Sequence, residues 1–283
     1  MADGSADAIK RAIQEVISTM MDELMTAVLK TDPFIEEMHW ESKPLYAALV
    51  PDEIFKGAHF ERRFVTRFGK AWQKLAVLAA KHGLGDAHTE HHIRGNIPQK
   101  RLNRIAEVLN NLEHRAPSSR ERVRPDWEHE LAYILEGKGE PIPTTVICDV
   151  YAIDLQKKQS FALELKSPLP NSDITKVSKE KLLKLYSMEP RQVDAAYFAL
   201  PYNPYGRREN YVWSFPARWF NMKTDPVVLI GEELWDMIGG AGTYRAFISA
   251  INEIGSPYRE RIYREYLGID PPEGGLDARL LQP

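Results

Sequence analysis

Between Val146 and Lys166 two apolar stretches flank a short polar one, and this segment constrains the fold more than any other. Residues 146 to 153 are rich in β-branched and aromatic types, and residues 160 to 166 alternate between apolar and polar. With Gln156-Lys-Lys-Gln159 as a polar turn, the pattern is that of a β-hairpin. Successive strand residues face opposite ways, so Asp149, Tyr151 and Ile153 share one face, as do Ala162, Glu164 and Lys166 on the partner. A turn centred between Lys157 and Lys158 sets Asp149 directly opposite Lys166. Glu164 is then its diagonal neighbour, about 7 Å away at the Cβ atoms. Phe161, Leu163 and Leu165 make the other face of the second strand apolar, as in a sheet packed on helices.

Two carboxylates and a lysine thus converge across a gap that one cation with short oxygen ligands can bridge. That donor set suits a divalent metal and phosphodiester hydrolysis. The alternative is a surface hairpin with an Asp149–Lys166 cross-strand ion pair, worth roughly 0.2–1 kcal/mol. Asp/Glu-x-Lys alone is a weak pattern, and Glu41-Ser-Lys43 and Glu136-Gly-Lys138 repeat it without an upstream strand Asp at hairpin distance.

The 283 residues suffice for one large domain or a core with helical additions. The first thirty residues are too charged for a secretory segment, and no run of eighteen apolar residues occurs, so a soluble protein without membrane contact is expected. The single cysteine, Cys148, excludes an internal disulfide, fits a reducing cytosol and is expected to point into the core.

A net charge of −3 conceals segregation. Residues 1–54 carry 4 Lys/Arg against 11 Asp/Glu, and residues 55–105 carry 11 against 3. Residues 157–208 carry 10 against 5, and residues 225–283 carry 5 against 10. Two basic interior blocks between acidic ends suit a protein that meets a polyanion on one face, although solvated helix faces explain either block singly.

Helical spacing is expected over residues 6–30, around His59 to Ala76 with Arg62, Arg63, Arg67, Lys70 and Lys74, and over 98–115. The last two are candidates to frame a nucleic-acid cleft. His88-Thr-Glu90-His91-His92 invites a metal reading, but it sits among Gly83, Gly85 and Gly95, with no helix there to bring histidines at i,i+4 onto one face. A mobile loop over the substrate is expected there instead. Pro117-Ser-Ser reads as a linker and Pro125–Leu135 as a helix. A further helix from Asp173 to Tyr186 is capped by Ser172 or Asp173. Strands follow at Ala195–Leu200 and Tyr211–Phe215, then helices from residue 232 and a fraying tail. The order strand, strand, helix, strand, strand implies a mixed sheet, with the strand at 195 parallel to the one carrying Glu164.

Asp149, a spacer of fourteen residues and Glu164-Leu-Lys166 resemble the PD-(D/E)xK nuclease core. The longer run from Glu164 through Asn171, Lys176 and Lys181, together with Pro201-Tyr-Asn203-Pro-Tyr-Gly206 and Phe60-Glu61-Arg62, resembles the TdeIII-type family of type II restriction endonucleases. Cys148 stands before Asp149 where the motif name has proline.

The resemblance implies an α/β (α+β) restriction-endonuclease-like core over 121–225, a mixed central sheet flanked by helices. A helical N-terminal part (1–120) and a helical C-terminal part (226–283) complete the chain. It also implies Mg²⁺, with Mn²⁺ able to substitute, held by Asp149, Glu164 and the Leu165 carbonyl, while Lys166 orients or activates the nucleophile. Glu61 is a candidate second carboxylate, with a capping or surface-pair role as the alternative; Glu130 is a weaker one. Lys176 and Lys179 are candidates for phosphate contacts or a solvated lysine face. Asn203, Tyr205, Arg207 and Arg208 are candidates for DNA binding, Asn and Arg being suited to base reading. The expected substrate is double-stranded DNA at a short, G/C-rich, GGNCC-like palindrome, cut by a homodimer in a prokaryotic cytoplasm. A cognate DNA methyltransferase is its expected genetic companion. A junction-resolving or repair nuclease, or a non-catalytic DNA-binding protein, are the alternatives.

Overall fold

In the computed structural model, residues 2–114 and 122–272 are described, excepting the side chains of residues 2–6. The expected linker at Pro117 and most of the tail lie outside them. The chain divides into a helical unit, residues 1–75 with 242–283, and a sheet unit, residues 76–241. Residues 85–113 and 228–239 supply strands and helices to the sheet unit.

In the helical unit, α1 (Ala2–Thr26) ends in a π-helical turn, Ala27–Thr31. Ile9, Ile13, Ile17, Met20 and Leu24 form its buried stripe, as their three- and four-residue spacing dictates. Two short helices follow, α2 (Glu36–Ser42) and α3 (Pro44–Ala47). The long α4 (Asp52–Gly83) aligns Phe60, Phe64, Phe68 and Trp72 in successive ring contacts. The chain returns to this unit as α9 (Thr243–Arg261), whose Glu253 accepts from Lys10 at 2.5 Å and from Gln14 at 2.7 Å on α1.

The sheet unit has five strands in the order β1-β2-β3-β4-β5. They are β1 (Gly85–Pro98), β2 (Pro141–Asp154), β3 (Gln159–Leu165), β4 (Ala195–Leu200) and β5 (Val228–Ile230). The pairings β1–β2 and β2–β3 are antiparallel, and β3–β4 and β4–β5 are parallel, so the expected mixed sheet and its crossover are present. Its helices are α5 (Gln99–Glu113), α6 (Trp127–Leu135), the crossover α7 (Ser172–Ser187) and α8 (Glu232–Gly239), with α9 (Thr243–Arg261) beyond. Residues of β1–β5 and of α5–α7 share one core that includes Ile97, Leu112, Ile134, Val146, Leu182 and Phe198. Each such buried side chain contributes about 1.5–3 kcal/mol.

Four local expectations are corrected. The His88–His92 segment is not a loop but part of β1, whose Ala87, Ile93 and Ile97 are buried against a partner strand running from Pro141 to Asp154. Gly95, which suggested a loop, is a packing glycine: a Cβ there meets Met188 Sδ at 2.9 Å. The expected strand at 211–215 is irregular chain, held by its side chains: Tyr211 Oη donates to the Pro168 carbonyl at 2.8 Å and Trp213 Nε1 to that of Pro170 at 2.9 Å. The fifth strand is 228–230 instead. Finally, Asn171 rather than Ser172 or Asp173 caps α7, its Oδ1 accepting from the Ile174 amide at 2.9 Å.

Candidate active site

The hairpin turn sets the geometry of the site. Asp154 Oδ1 accepts from the amides of Gln156 and Lys157 at 3.0 and 2.9 Å, an Asx-type turn that shifts the turn centre toward Asp154. Lys158 takes the left-handed conformation, φ 55°. Pairing therefore runs from Asp154↔Gln159 to Val150↔Leu163, two residues off the expected register. Continued by one step, it aligns Asp149 with Glu164, not with Lys166.

Asp149 also lies at a break in the other ladder. Pairing of β1 with β2 steps from Thr89↔Val150 to His91↔Cys148, and the residue passed over, Glu90, has φ 50°. A non-glycine residue in that region costs free energy that its surroundings must offset. Beyond Val150 the Asp149 carboxylate takes the place of a ladder carbonyl: Oδ2 accepts from the Leu165 amide at 2.8 Å. The two strands thus present their polar side chains to each other where backbone pairing stops.

Lys166 Nζ stands 2.9 Å from Asp149 Oδ2, 2.8 Å from Glu164 Oε1 and 2.9 Å from the Leu165 carbonyl. One cationic nitrogen is thus ringed by three oxygens, the three that the resemblance assigns to a metal. Burial pulls the Lys166 pKa down, but Glu164 and Asp149 outweigh it and the net shift is upward. Lys166 is accordingly an ammonium at neutral pH. The donors are all oxygen, which fits a hard cation such as Mg²⁺. Among the described residues no group of three or more His, Cys, Asp or Glu side chains could hold a metal, so water or phosphate oxygens would complete its coordination.

Lys181, unassigned in the sequence reading, joins the cluster from α7, its Nζ donating to Glu164 Oε1 and Oε2 at 3.0 and 2.9 Å. A signal for it existed, since it lies three residues after Ser178 and four before Leu185, both buried, and so borders the core-facing stripe of the helix.

Other candidates fall elsewhere. Lys179 is fully buried, donating to the Trp219 carbonyl and paired with Glu130 at 2.5 Å, so it has no phosphate-facing surface and is not part of a solvated lysine face. Burial pushes the Glu130 pKa up and the Lys179 pKa down. Lys176 is half-buried on Glu113 and stands 5.7 Å from the Trp219 ring centroid.

The loop after β4 is largely committed to itself. Asn203 Oδ1 accepts from the Tyr205 amide at 2.9 Å and its Nδ2 is buried. Tyr205 packs edge-on against Tyr211. Arg208 clasps the carbonyls of Met222 and Asp225 at 2.9 and 2.6 Å and reaches Glu233 at 3.2 Å, which makes it a loop clamp. Arg207, with 83% of its side chain exposed, is the member of the group that faces solvent. Glu61 is exposed on α4 of the helical unit. His91 stacks on Tyr151 at 4.3 Å, and burial together with His88 and His92 holds it below the usual imidazole range. Burial, then Asp149 and Glu164, push the Cys148 thiol up to about 12.

Comparison with known proteins accords with this geometry. The family model described as "Type II restriction endonuclease, HinfI" matches residues 9–255. The type II restriction enzyme HgiEI of Herpetosiphon aurantiacus is 24% identical over 258 residues, 88% of this chain and 91% of that protein. HgiCII from the same organism is 25% identical over 228 residues, 80% of this chain and 82% of its own length. HgiBI is 24% identical over 258 residues. No solved structure matches the chain significantly. Among the described residues no helix is long and apolar enough to cross a membrane. With a mixed restriction-endonuclease-like sheet, a strand-end carboxylate pair around a lysine and a family match spanning most of its length, the chain belongs to the HinfI family of type II restriction endonucleases.

Proposed function

We propose that this enzyme hydrolyses both strands of DNA at a short palindromic, G/C-rich (GGNCC-like) site, that it depends on Mg²⁺, with Mn²⁺ as a substitute, and that it acts as a homodimer. The observation that carries the catalytic part is the ring of Asp149 Oδ2, Glu164 Oε1 and the Leu165 carbonyl at 2.8–2.9 Å around one cationic nitrogen. A divalent ion held by the same oxygens supplies Lewis-acid polarisation of the scissile phosphate and a more acidic water.

The chain's own groups do the rest. Asp149, fixed by the Leu165 amide, and Glu164 orient the reacting centre. Lys166, an ammonium beside Asp149 and Glu164 in the metal-free protein, orients or activates the attacking water and offsets charge accumulating on the phosphorane. Arg207 is the favoured residue for reaching DNA from the loop after β4. A palindromic site read by two copies follows the symmetry logic of homodimers, and a partner methyltransferase would protect the host's own sites.

Digestion of a sequenced plasmid with mapped ends is the test. Discrete fragments ending at one palindrome are expected, with Asp149→Asn and Lys166→Ala losing cleavage while DNA binding stays within a few-fold. Smeared digestion, junction-only cutting or undiminished cleavage by both variants would overturn the reading. Binding is expected to weaken steeply with salt through counterion release.

A further inference from the structure

We propose that Lys181 is a positioning residue of the active centre, one that holds the Glu164 carboxylate in place through the exchange of Lys166 for a divalent cation. This rests on the catalytic reading above and extends it to a residue outside the Asp-(Glu)-x-Lys motif.

Glu164 is 3% exposed, and a carboxylate buried so far takes its orientation from its hydrogen-bonding partners. It has two, Lys166 on Oε1 and Lys181 on both oxygens. Lys166 cannot serve throughout the reaction, because its Nζ sits among the three oxygens that form the cation site. An ammonium and a metal ion at that point exclude each other. Lys181 differs in origin and in targets: it comes from α7, anchored by buried Ser178, Leu182 and Leu185, and both of its hydrogen bonds go to Glu164. It therefore remains on Glu164 when Lys166 moves. In the free protein the two carboxylates and two ammoniums balance one another, so Lys181 also restrains premature cation binding by adding positive charge beside the site.

This role predicts opposite signs for two measurements. A purely structural ion pair, once removed, would loosen Glu164 and weaken cation binding and cleavage together. In Lys181→Met the loss of a positive charge beside Glu164 is expected to tighten Mn²⁺ binding to the DNA-free protein by about tenfold, followed by electron paramagnetic resonance. Single-turnover cleavage is expected to slow by roughly 10- to 100-fold as Glu164 loses its fixed orientation. Lys181→Arg retains the charge and can meet both carboxylate oxygens, so both quantities should return toward those of the parent protein.

Unchanged or weaker Mn²⁺ binding in folded Lys181→Met, unchanged cleavage, or a Lys181→Arg variant that behaves like Lys181→Met would overturn the role. Glu164→Gln serves as the control and is expected to lose the Mn²⁺ site. Retention of that site would strike the catalytic reading itself, whereas its loss beside an unaffected Lys181→Met would strike only the role of Lys181.

Discussion

Lys179 and Lys181 are two residues apart on α7, each paired with a glutamate, and they inhabit different physical regimes. Lys179 is sealed: its side chain is 0% exposed, beneath the rings of Trp127 and Phe220, and Glu130 is its partner. Lys181 is 30% exposed at the side chain and faces Glu164. Two residues turn a helix by about 200°, so one lysine enters the core between helices while the other meets the end of the sheet. A charge pair without access to solvent can only hold the fold. A pair at a partly open strand end, beside a second carboxylate, can exchange partners with an incoming ion or phosphate.

That contrast is open to direct attack. The largest effect is expected for Glu164→Gln, which should reduce single-turnover cleavage by about 10³-fold or more with little change in melting temperature. Glu130→Gln should do the reverse, losing stability while the folded fraction still cuts; a folded but inactive Glu130→Gln would erase the distinction. Next comes Lys179→Met, expected to cost about 3–5 kcal/mol in chemical denaturation because Glu130 stays buried without its partner, whereas Lys179→Met/Glu130→Leu should recover most of that loss.

The same single variant carries a pH signature. With Lys179 gone, burial raises the folded pKa of Glu130 further above its unfolded value of about 4.3. Folding then favours the protonated form, so Lys179→Met should be least impaired below about pH 4 and lose stability as pH rises through the unfolded value toward the folded one. Denaturation curves between these limits that run parallel to the parent's would contradict this.

The two arginines of the loop after β4 sharpen the comparison further. Arg208→Ala should destabilise by roughly 1–3 kcal/mol through its lost carbonyl partners. Arg207→Ala should leave melting unchanged and lower the salt slope of DNA binding by about one. The smallest effect concerns Cys148, which should resist alkylation at neutral pH until the protein unfolds, because its pKa is pushed up to about 12.

Much of this was legible in the chain. Periodicity placed α1, α5, α6, α7 and the β2–β3 hairpin, since three- and two-residue repeats of apolar side chains report local geometry directly. The strand identity of His88–His92 was not legible, because glycines selected for close packing at Gly95 look the same in sequence as glycines that break strands. Nor was the register of the hairpin: a single side chain, Asp154, captures two turn amides and moves every cross-strand partner by two. In the site, Asp149, Glu164 and Lys166 could be named because a strand pair brings them together over a short separation. Lys179 could not be told apart from a surface lysine, and the spacing of Lys181 marked only its place beside the core-facing stripe of the helix, since a lysine's partner depends on what the helix packs against.

The sequence by itself determined the strand-borne Asp and Glu-x-Lys groups, the helix that follows them and the parallel crossover, all consequences of short-range patterning. Only the tertiary structure decided which charges are partners. Asp149 meets Leu165 and Lys166 where two ladders break, Glu164 is shared with Lys181 from the crossover helix, and Lys179 and Arg208 are withdrawn into the fold. The reason is physical: an ionic contact forms over about 3 Å between groups that may be distant in sequence, and its worth depends on how much water the surrounding packing admits.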